Sequence, residues 1–128
     1  MNNYGLILNE IGMEPLINSL QQKVLYPISE RIWNDEGARL DRHHTFLVRY
    51  KPGEDLGLDV HTDDADVTFN ICLGKEFSGS GLVFCGMRFT PEHRKLSTVY
   101  QHKLGSCVVH LGQKRHGADN IQTGERVN

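Results

Sequence analysis

Between Glu14 and Ile32 the apolar residues Leu16, Ile17, Leu20, Val24, Ile28 and Ile32 recur every three or four positions. That spacing predicts an amphipathic helix lying on something else. Pro15 suits its first turn. Pro27 has no amide proton and its ring clashes with the preceding turn, so the pattern predicts a kink or split near Leu25. The polar stretch "NDEGARLDR" reads as a loop. Beyond it the texture changes to short segments rich in β-branched and aromatic residues, "TFLVRY", "LDVHTD", "DVTFNICLG", "GLVFCG", "LSTVYQHKLG" and "SCVVHLG". Clusters of Gly, Pro, Asp and Ser such as "KPGEDLG" and "FSGSG" separate them, and the chain ends on turn-forming residues in "RHGADNIQTGERVN". Six or seven short strands behind a leading helix predict a mainly β fold, a sandwich or open barrel with the helix packed on one side.

Composition narrows the picture. With 128 residues, 38% hydrophobic and 23% charged, the chain reads as one domain over residues 1–128, with a helix at about 14–32 and a β core at about 45–128. A net charge of -2 gives no field that would draw it onto nucleic acid or an anionic membrane, so neither is an expected partner. The apolar runs are too short to span a bilayer, and the start "MNNYGLILNEIG" lacks a basic leader region, so a cytoplasmic protein is expected. Cys72, Cys85 and Cys107 form no CxxC pair and read as buried free thiols.

Chemistry enters through histidine and carboxylate placement. In "LDVHTDDADVTFN", His61 and Asp63 occupy alternate positions, so on an extended strand they share a face and can meet one metal, while Asp64 points away. Taken alone, this pair is equally satisfied by a solvated strand end. A third candidate is His116 in "KRHGAD", which a neighbouring strand could bring beside the other two. Two histidines and one carboxylate make the facial set of non-haem Fe(II) oxygenases, with positions left open for substrates.

Arg126 follows His116 near the end of the chain. The bland reading is a solvated terminal arginine. The sharper one is a guanidinium inside the barrel, satisfied by a bidentate pair with a dicarboxylic co-substrate such as 2-oxoglutarate. On the strand "VTFNICL", Thr68, Asn70 and Cys72 share one face, opposite Val67, Phe69, Ile71 and Leu73, and polar residues turned into a barrel need a partner.

The stretches "FLVRYKPGEDLGLDVHTD", "VTFNICLG", "FSGSGLVF" and "HGADNIQTGERVN" together resemble the 2-oxoglutarate and iron-dependent oxygenase superfamily. The resemblance is to its prolyl and lysyl hydroxylase branch, most of all to lysyl hydroxylase catalytic domains and related oxygenase-domain proteins, and covers roughly residues 45–128. It implies a double-stranded β-helix with His61, Asp63 and His116 matching the iron ligands. It also implies Arg126 as partner of the 2-oxoglutarate C5 carboxylate, Tyr50 as a hydrogen-bond donor to the co-substrate, and Asn70 as a polar residue facing the same cavity. In the family an apolar strand follows "GERxN"; here the sequence stops at Asn128, so the last strand is expected to be truncated and Arg126 to sit on a frayed edge.

The activity so implied is hydroxylation of an aliphatic C–H bond, of a lysyl or prolyl side chain in a polypeptide, with O2 consumed and succinate and CO2 released. The cofactors are Fe(II) and 2-oxoglutarate, with ascorbate as a possible addition. Two other readings use the same fold: a cupin-like metal-binding protein, which needs the triad but neither Arg126 nor Tyr50, and a catalytically inactive binding module. An oligomer is compatible with all three. Of the remaining histidines, His110 reads as a core residue behind the ligands, and one of His43 and His44 as solvent-facing. His93, Arg94, Lys95, His102 and Lys103 read as a solvated basic face, or more sharply as a patch steering an acidic substrate.

Overall fold

In the computed structural model, which describes residues 5–128, the helical segment runs in three pieces. α1 (Glu14–Leu20) carries Pro15 in its first turn, a π-helical turn covers Gln21–Leu25, and α2 (Tyr26–Ile32) follows with Pro27 in its own first turn. The wide turn is how the chain passes a residue that cannot donate the helical hydrogen bond. It also sets which face is buried. Ile17, Gln21, Leu25 and Ser29 point inward at a spacing of four, while Leu16, Val24, Ile28 and Ile32 of the predicted stripe are exposed. The wide turn keeps residues four apart on one face, so the inward row that starts at Ile17 runs on through the polar Gln21 and Ser29. Gln21 Nε2 there donates to the Tyr26 hydroxyl at 3.0 Å and to the Arg42 carbonyl at 3.3 Å.

The polar stretch after α2 is less open than a loop. Gly37–Arg39 form a 3-10 turn, and Gly37 lies so close to the Ser29 carbonyl that a β-carbon would collide with it.

Among the described residues the strands are short: β1 (Leu6–Ile7), β2 (Phe46–Leu47), β3 (Arg49–Tyr50), β4 (Leu58–His61), β5 (Val67–Ile71) and β6 (Phe77–Gly79). They continue as β7 (Leu82–Met87), β8 (Thr98–Tyr100), β9 (Cys107–Leu111), β10 (Lys114–Ala118), β11 (Ile121–Gly124) and β12 (Arg126–Val127). One antiparallel sheet has the order β4-β10-β7-β8. Facing it, β3 pairs with β12 and β5 with β9, and a bridge between Gly74 and Val127 joins the two ladders. Phe84 on β7 meets His110 on β9 across the interior, ring centroids 5.2 Å apart. The expected mainly β architecture with a leading helix is present. Its core gathers Val48, Tyr50, Ala118 and Ile121, with Phe77 packed against them.

Several local expectations change. "FSGSG" holds β6 rather than a plain turn, and the turn-rich C-terminal stretch is the three strands β10 to β12. "LSTVYQHKLG" is strand only over β8. Cys72 is buried, but Cys85 is half-buried and Cys107 exposed, because β9 alternates and turns that thiol outward. His44 is exposed as expected of one of the pair. His43 is bonded at Nε2 to Asn18 Oδ1 (2.9 Å) and at Nδ1 to Thr45 Oγ1 (3.0 Å).

The β9–β10 turn positions the loop after β4. Gly112 accepts from the Asp63 amide at 2.9 Å and donates to the Asp66 carbonyl at 3.0 Å, and a β-carbon at Gly112 would run into the Ala65 carbonyl oxygen. Gly112→Ala is therefore expected to displace the 63–66 loop, lowering stability by about 1–3 kcal/mol. A thermal unfolding midpoint unchanged from wild type would contradict this close approach.

Candidate metal centre and buried arginine

β4 and β10 run antiparallel with His61 directly opposite His116. Asp63 lies just beyond β4 rather than within it, so the shared strand face expected of His61 and Asp63 is replaced by a short loop, pinned to Gly112, that brings the carboxylate back. One ligand atom from each of His61, Asp63 and His116 lies within 4.8 Å of the others. His61 Nε2 is 3.4 Å from Asp63 Oδ1, and His116 Nε2 is 3.3 Å from Asp63 Oδ2.

Both imidazoles are oriented by backbone carbonyls. His61 Nδ1 is 2.7 Å from the Asp59 oxygen and His116 Nδ1 is 2.7 Å from the Lys114 oxygen. A carbonyl can only accept, so each Nδ1 carries a proton; each Nε2 faces Asp63, donating to the carboxylate while the ring is protonated and presenting a lone pair to a metal once that proton is lost. The Thr68 hydroxyl donates to Asp63 Oδ2 at 2.6 Å, orienting the carboxylate. Burial pushes the Asp63 carboxyl up, but hydrogen bonds from His116, His61 and Thr68 outweigh it and hold the group well below the usual carboxylate range. The hydrogen bond to Asp63 in turn raises the His61 pKa against the effect of burial. The arrangement is an anionic three-ligand set on one side of an ion, which suits a divalent metal with sites to spare.

His110 is not among these ligands. It packs against His116 at 4.3 Å between ring centroids and gives its Nδ1 to the Leu111 carbonyl at 2.8 Å, with burial lowering its pKa.

Arg126 is 0% exposed rather than frayed. β12 is held on one side by β3, where Arg126 is opposite Tyr50, and on the other by the Leu73 amide donating to the Val127 carbonyl at 2.8 Å. Nε donates to Asn128 Oδ1 at 3.1 Å, Nη1 to the carbonyl and hydroxyl oxygens of Ser80 (3.2 Å to the hydroxyl), and Nη2 to His102 Nδ1 at 3.1 Å. Its guanidinium carbon lies 5.6 Å from the Tyr50 ring centroid and 5.8 Å from that of Phe77. No carboxylate pairs with it among the described residues. Burial pulls its pKa below the usual guanidinium value while Tyr50 counteracts, and burial raises the Tyr50 phenol while Arg126 lowers it.

β5 joins the two ends. Thr68 bonds the metal-site carboxylate, and past Cys72 the strand hands over to the Leu73–Val127 contact beside Arg126. At about 3.3 Å per residue, Thr68 and Cys72 stand roughly 13 Å apart. Between them the buried Asn70 Oδ1 has no hydrogen-bond partner among the described residues, so a polar group is left waiting midway.

The sequence reading missed His102, Ser80 and Thr68 as participants. His102, assigned to an exposed basic face, is 4% exposed. Its neighbours Lys103, Arg94 and Lys95 do face solvent, and nothing in the pattern separates it from them. Ser80 is 0% exposed with φ 53, a left-handed residue between glycines.

Fold and site together point to a class: over its whole length the chain is similar to 2-oxoglutarate and iron-dependent oxygenase domain-containing proteins. It is 42% identical, over 100% of its length, to the human 2-oxoglutarate and iron-dependent oxygenase domain-containing protein 2, of which it spans 37%. Human procollagen-lysine,2-oxoglutarate 5-dioxygenase 1 is 26% identical over 91% of this chain and 15% of its own length. Among solved structures, an oxidoreductase of the 2OG-Fe(II) oxygenase family from Burkholderia pseudomallei shares the fold, with a TM-score of 0.62 at 19% identity over 88% of this chain and 52% of that one. That fold is the double-stranded β-helix. No family model matches the chain. No helix among the described residues is long and apolar enough to cross a membrane.

His102 supplies a pH test of this architecture. Burial first, and then Arg126, lower its pKa from 6.5. The unfolded chain takes up that proton near 6.5 and the folded chain resists it. The group's contribution to stability is thus complete above that pH and is lost as pH falls through 6.5 toward the lowered folded value. In His102→Asn, whose side-chain oxygen still accepts from Arg126, the fall of the unfolding midpoint below pH 6.5 is expected to be shallower than in wild type. Superimposable profiles would show that His102 does not titrate with folding.

Proposed function

We propose that this domain is an Fe(II)- and 2-oxoglutarate-dependent oxygenase in which His61, Asp63 and His116 hold the iron and Arg126 pairs with the far carboxylate of the co-substrate. The observation that carries this reading is the fully buried guanidinium with no carboxylate paired to it among the described residues. A buried charge left without an opposite one is unfavourable by several kcal/mol. A small dicarboxylate placed between the triad and Arg126 resolves that imbalance, and the metal-only reading does not.

The residues fit both groups. The two Nε2 atoms and the Asp63 carboxylate converge, the Nδ1 edges of both imidazoles are tied by carbonyls and Asp63 Oδ2 by Thr68, so the ligand set is oriented before metal arrives. Of the five guanidinium N–H groups, four are already directed at Asn128, Ser80 and His102. One remains on Nη2. The bidentate grip expected from the sequence would need Ser80 or His102 displaced, so the carboxylate takes that one N–H and a second donor, for which the Tyr50 hydroxyl is suited. The Asn70 amide, on the same strand face as Thr68, is placed for the middle of the molecule. When bound, iron and 2-oxoglutarate supply with O2 the oxidising equivalents that convert an aliphatic C–H to C–OH, with succinate and CO2 as the other products. The protein binds, orients and excludes water.

For the acceptor we propose a lysyl or prolyl side chain of a polypeptide. The support for the lysyl side chain is the distant likeness to procollagen-lysine,2-oxoglutarate 5-dioxygenase 1, whose name states a procollagen lysine; the prolyl alternative rests on the sequence resemblance alone.

Anaerobic addition of Fe(II) followed by 2-oxoglutarate is expected to raise a weak visible charge-transfer band. Asp63→Ala should abolish it by losing the metal. Arg126→Met should keep metal affinity while 2-oxoglutarate binding falls about a hundredfold, the loss of roughly 2–5 kcal/mol typical of a broken buried charge pair. An Arg126→Met protein that binds the diacid as wild type does would overturn the assignment. Incubation of lysyl and prolyl peptides with Fe(II), 2-oxoglutarate and ascorbate should yield, by mass spectrometry, a product one oxygen heavier; a gain on neither would remove the acceptor proposal.

A further inference from the structure

The loop after β8 carries a buried imidazole, His102, that sits against the buried guanidinium of Arg126 and, among the described residues, contacts no metal ligand. His102 Nε2 is 3.1 Å from the Ser106 carbonyl oxygen. Since that oxygen only accepts, Nε2 holds the proton, and in the neutral ring Nδ1 is then a lone pair. Arg126 only donates, and its Nη2 is 3.1 Å from that lone pair. The two contacts agree on a single tautomer. A protonated ring would turn an N–H toward the guanidinium, and burial and Arg126 both lower the ring's pKa. The same Ser106 oxygen accepts from the Cys72 amide at 3.0 Å, and the Gly105 amide donates to the Cys72 carbonyl at 2.8 Å. The loop is thus fastened to the end of β5, the strand whose Thr68 bonds Asp63.

An arginine side chain is long and has many rotamers, and a cation without an anion beside it has nothing of opposite charge to fix its plane. Here three short polar acceptors from separate elements fix it: Ser80 ahead of β7, His102 after β8 and Asn128 after β12. All three are neutral, so they orient the guanidinium without cancelling its charge.

We propose that His102 is a positioning residue for the diacid: its Nδ1 lone pair holds Arg126 so that one Nη2 N–H is left for the co-substrate carboxylate. Both ring nitrogens are engaged, so His102 acts through Arg126 and does not touch the co-substrate. The proposal rests on the 2-oxoglutarate reading above.

Two substitutions separate the ring's two contacts. His102→Asn places its side-chain oxygen near the position of Nδ1 and keeps the acceptor for Arg126 while losing the donor to Ser106. His102→Gln reaches the position of Nε2, keeping the donor and losing the acceptor. The Kd of 2-oxoglutarate is measured by anaerobic calorimetry on Fe(II)-loaded protein, with Fe(II) affinity and the thermal midpoint recorded separately. The expected result is a loss of about tenfold in 2-oxoglutarate affinity for His102→Gln, the size of one hydrogen bond to a charged group. His102→Asn should stay within about threefold of wild type. Fe(II) affinity should be unchanged in both. The proposal is overturned if His102→Gln binds the diacid as wild type does, or if both variants weaken equally, since that marks a role in holding the loop. It is likewise overturned if iron and diacid affinity fall together. Wild-type protein that binds Fe(II) but no 2-oxoglutarate overturns the proposal together with the reading beneath it, whereas the variant outcomes overturn it alone.

Discussion

A guanidinium buried without a carboxylate is the constraint around which this domain is organised. Arg126 is fully enclosed, yet every partner it has among the described residues is a neutral oxygen or nitrogen. Folding alone does not favour that arrangement, because the charge leaves water and gains no opposite charge. A binding site does, because an incoming anion then meets a cation already stripped of water and already oriented. The two-residue strand β12 would be a weak anchor by itself. It is held between β3 and the Gly74–Leu73 corner, so the side chain is fixed by sheet hydrogen bonds on both sides.

The metal site obeys the complementary rule. Asp63 brings the negative charge, and His61 and His116 turn Nε2 toward it because carbonyls of Asp59 and Lys114 occupy their other nitrogens. A cation is wanted at one end of β5 and an anion at the other. The polar face of that strand, Thr68, Asn70 and Cys72, runs between them. The charge requirements of the two ends would be met together by a metal ion and a short diacid, and a single strand with alternating faces would be enough to align them.

Much of this was legible in the chain. Alternation in "DVTFNICLG" placed Asn70 and Thr68 on one face, and the spacing of His61 and Asp63 with His116 beyond a turn suggested three ligands. The parts that were not legible have physical reasons. The helix stripe was misplaced by one residue along its length: the inward row is Ile17, Gln21, Leu25 and Ser29, which the widened turn before Pro27 keeps on one face at a spacing of four, so Leu16, Ile28 and Ile32 face out. The strands of the last segment carry no hydrophobic alternation, since β10 and β12 present a ligand and a cation inward where a core strand would present Val or Ile. His102 lies among exposed lysines and arginines, and only the tertiary fold buries it. Asp63 was placed on a strand and is instead on a loop, yet reaches the same point because Gly112 allows the turn beside it to approach closely.

The most direct measurement is a structure of this domain crystallised anaerobically with Mn(II) in place of iron and with 2-oxoglutarate. The account predicts metal bound by His61 Nε2, Asp63 and His116 Nε2, the diacid chelating that metal, and its far carboxylate on Arg126 within hydrogen-bond distance. Metal at the triad with the diacid elsewhere, or Arg126 left with only Ser80, His102 and Asn128 as partners, would contradict it.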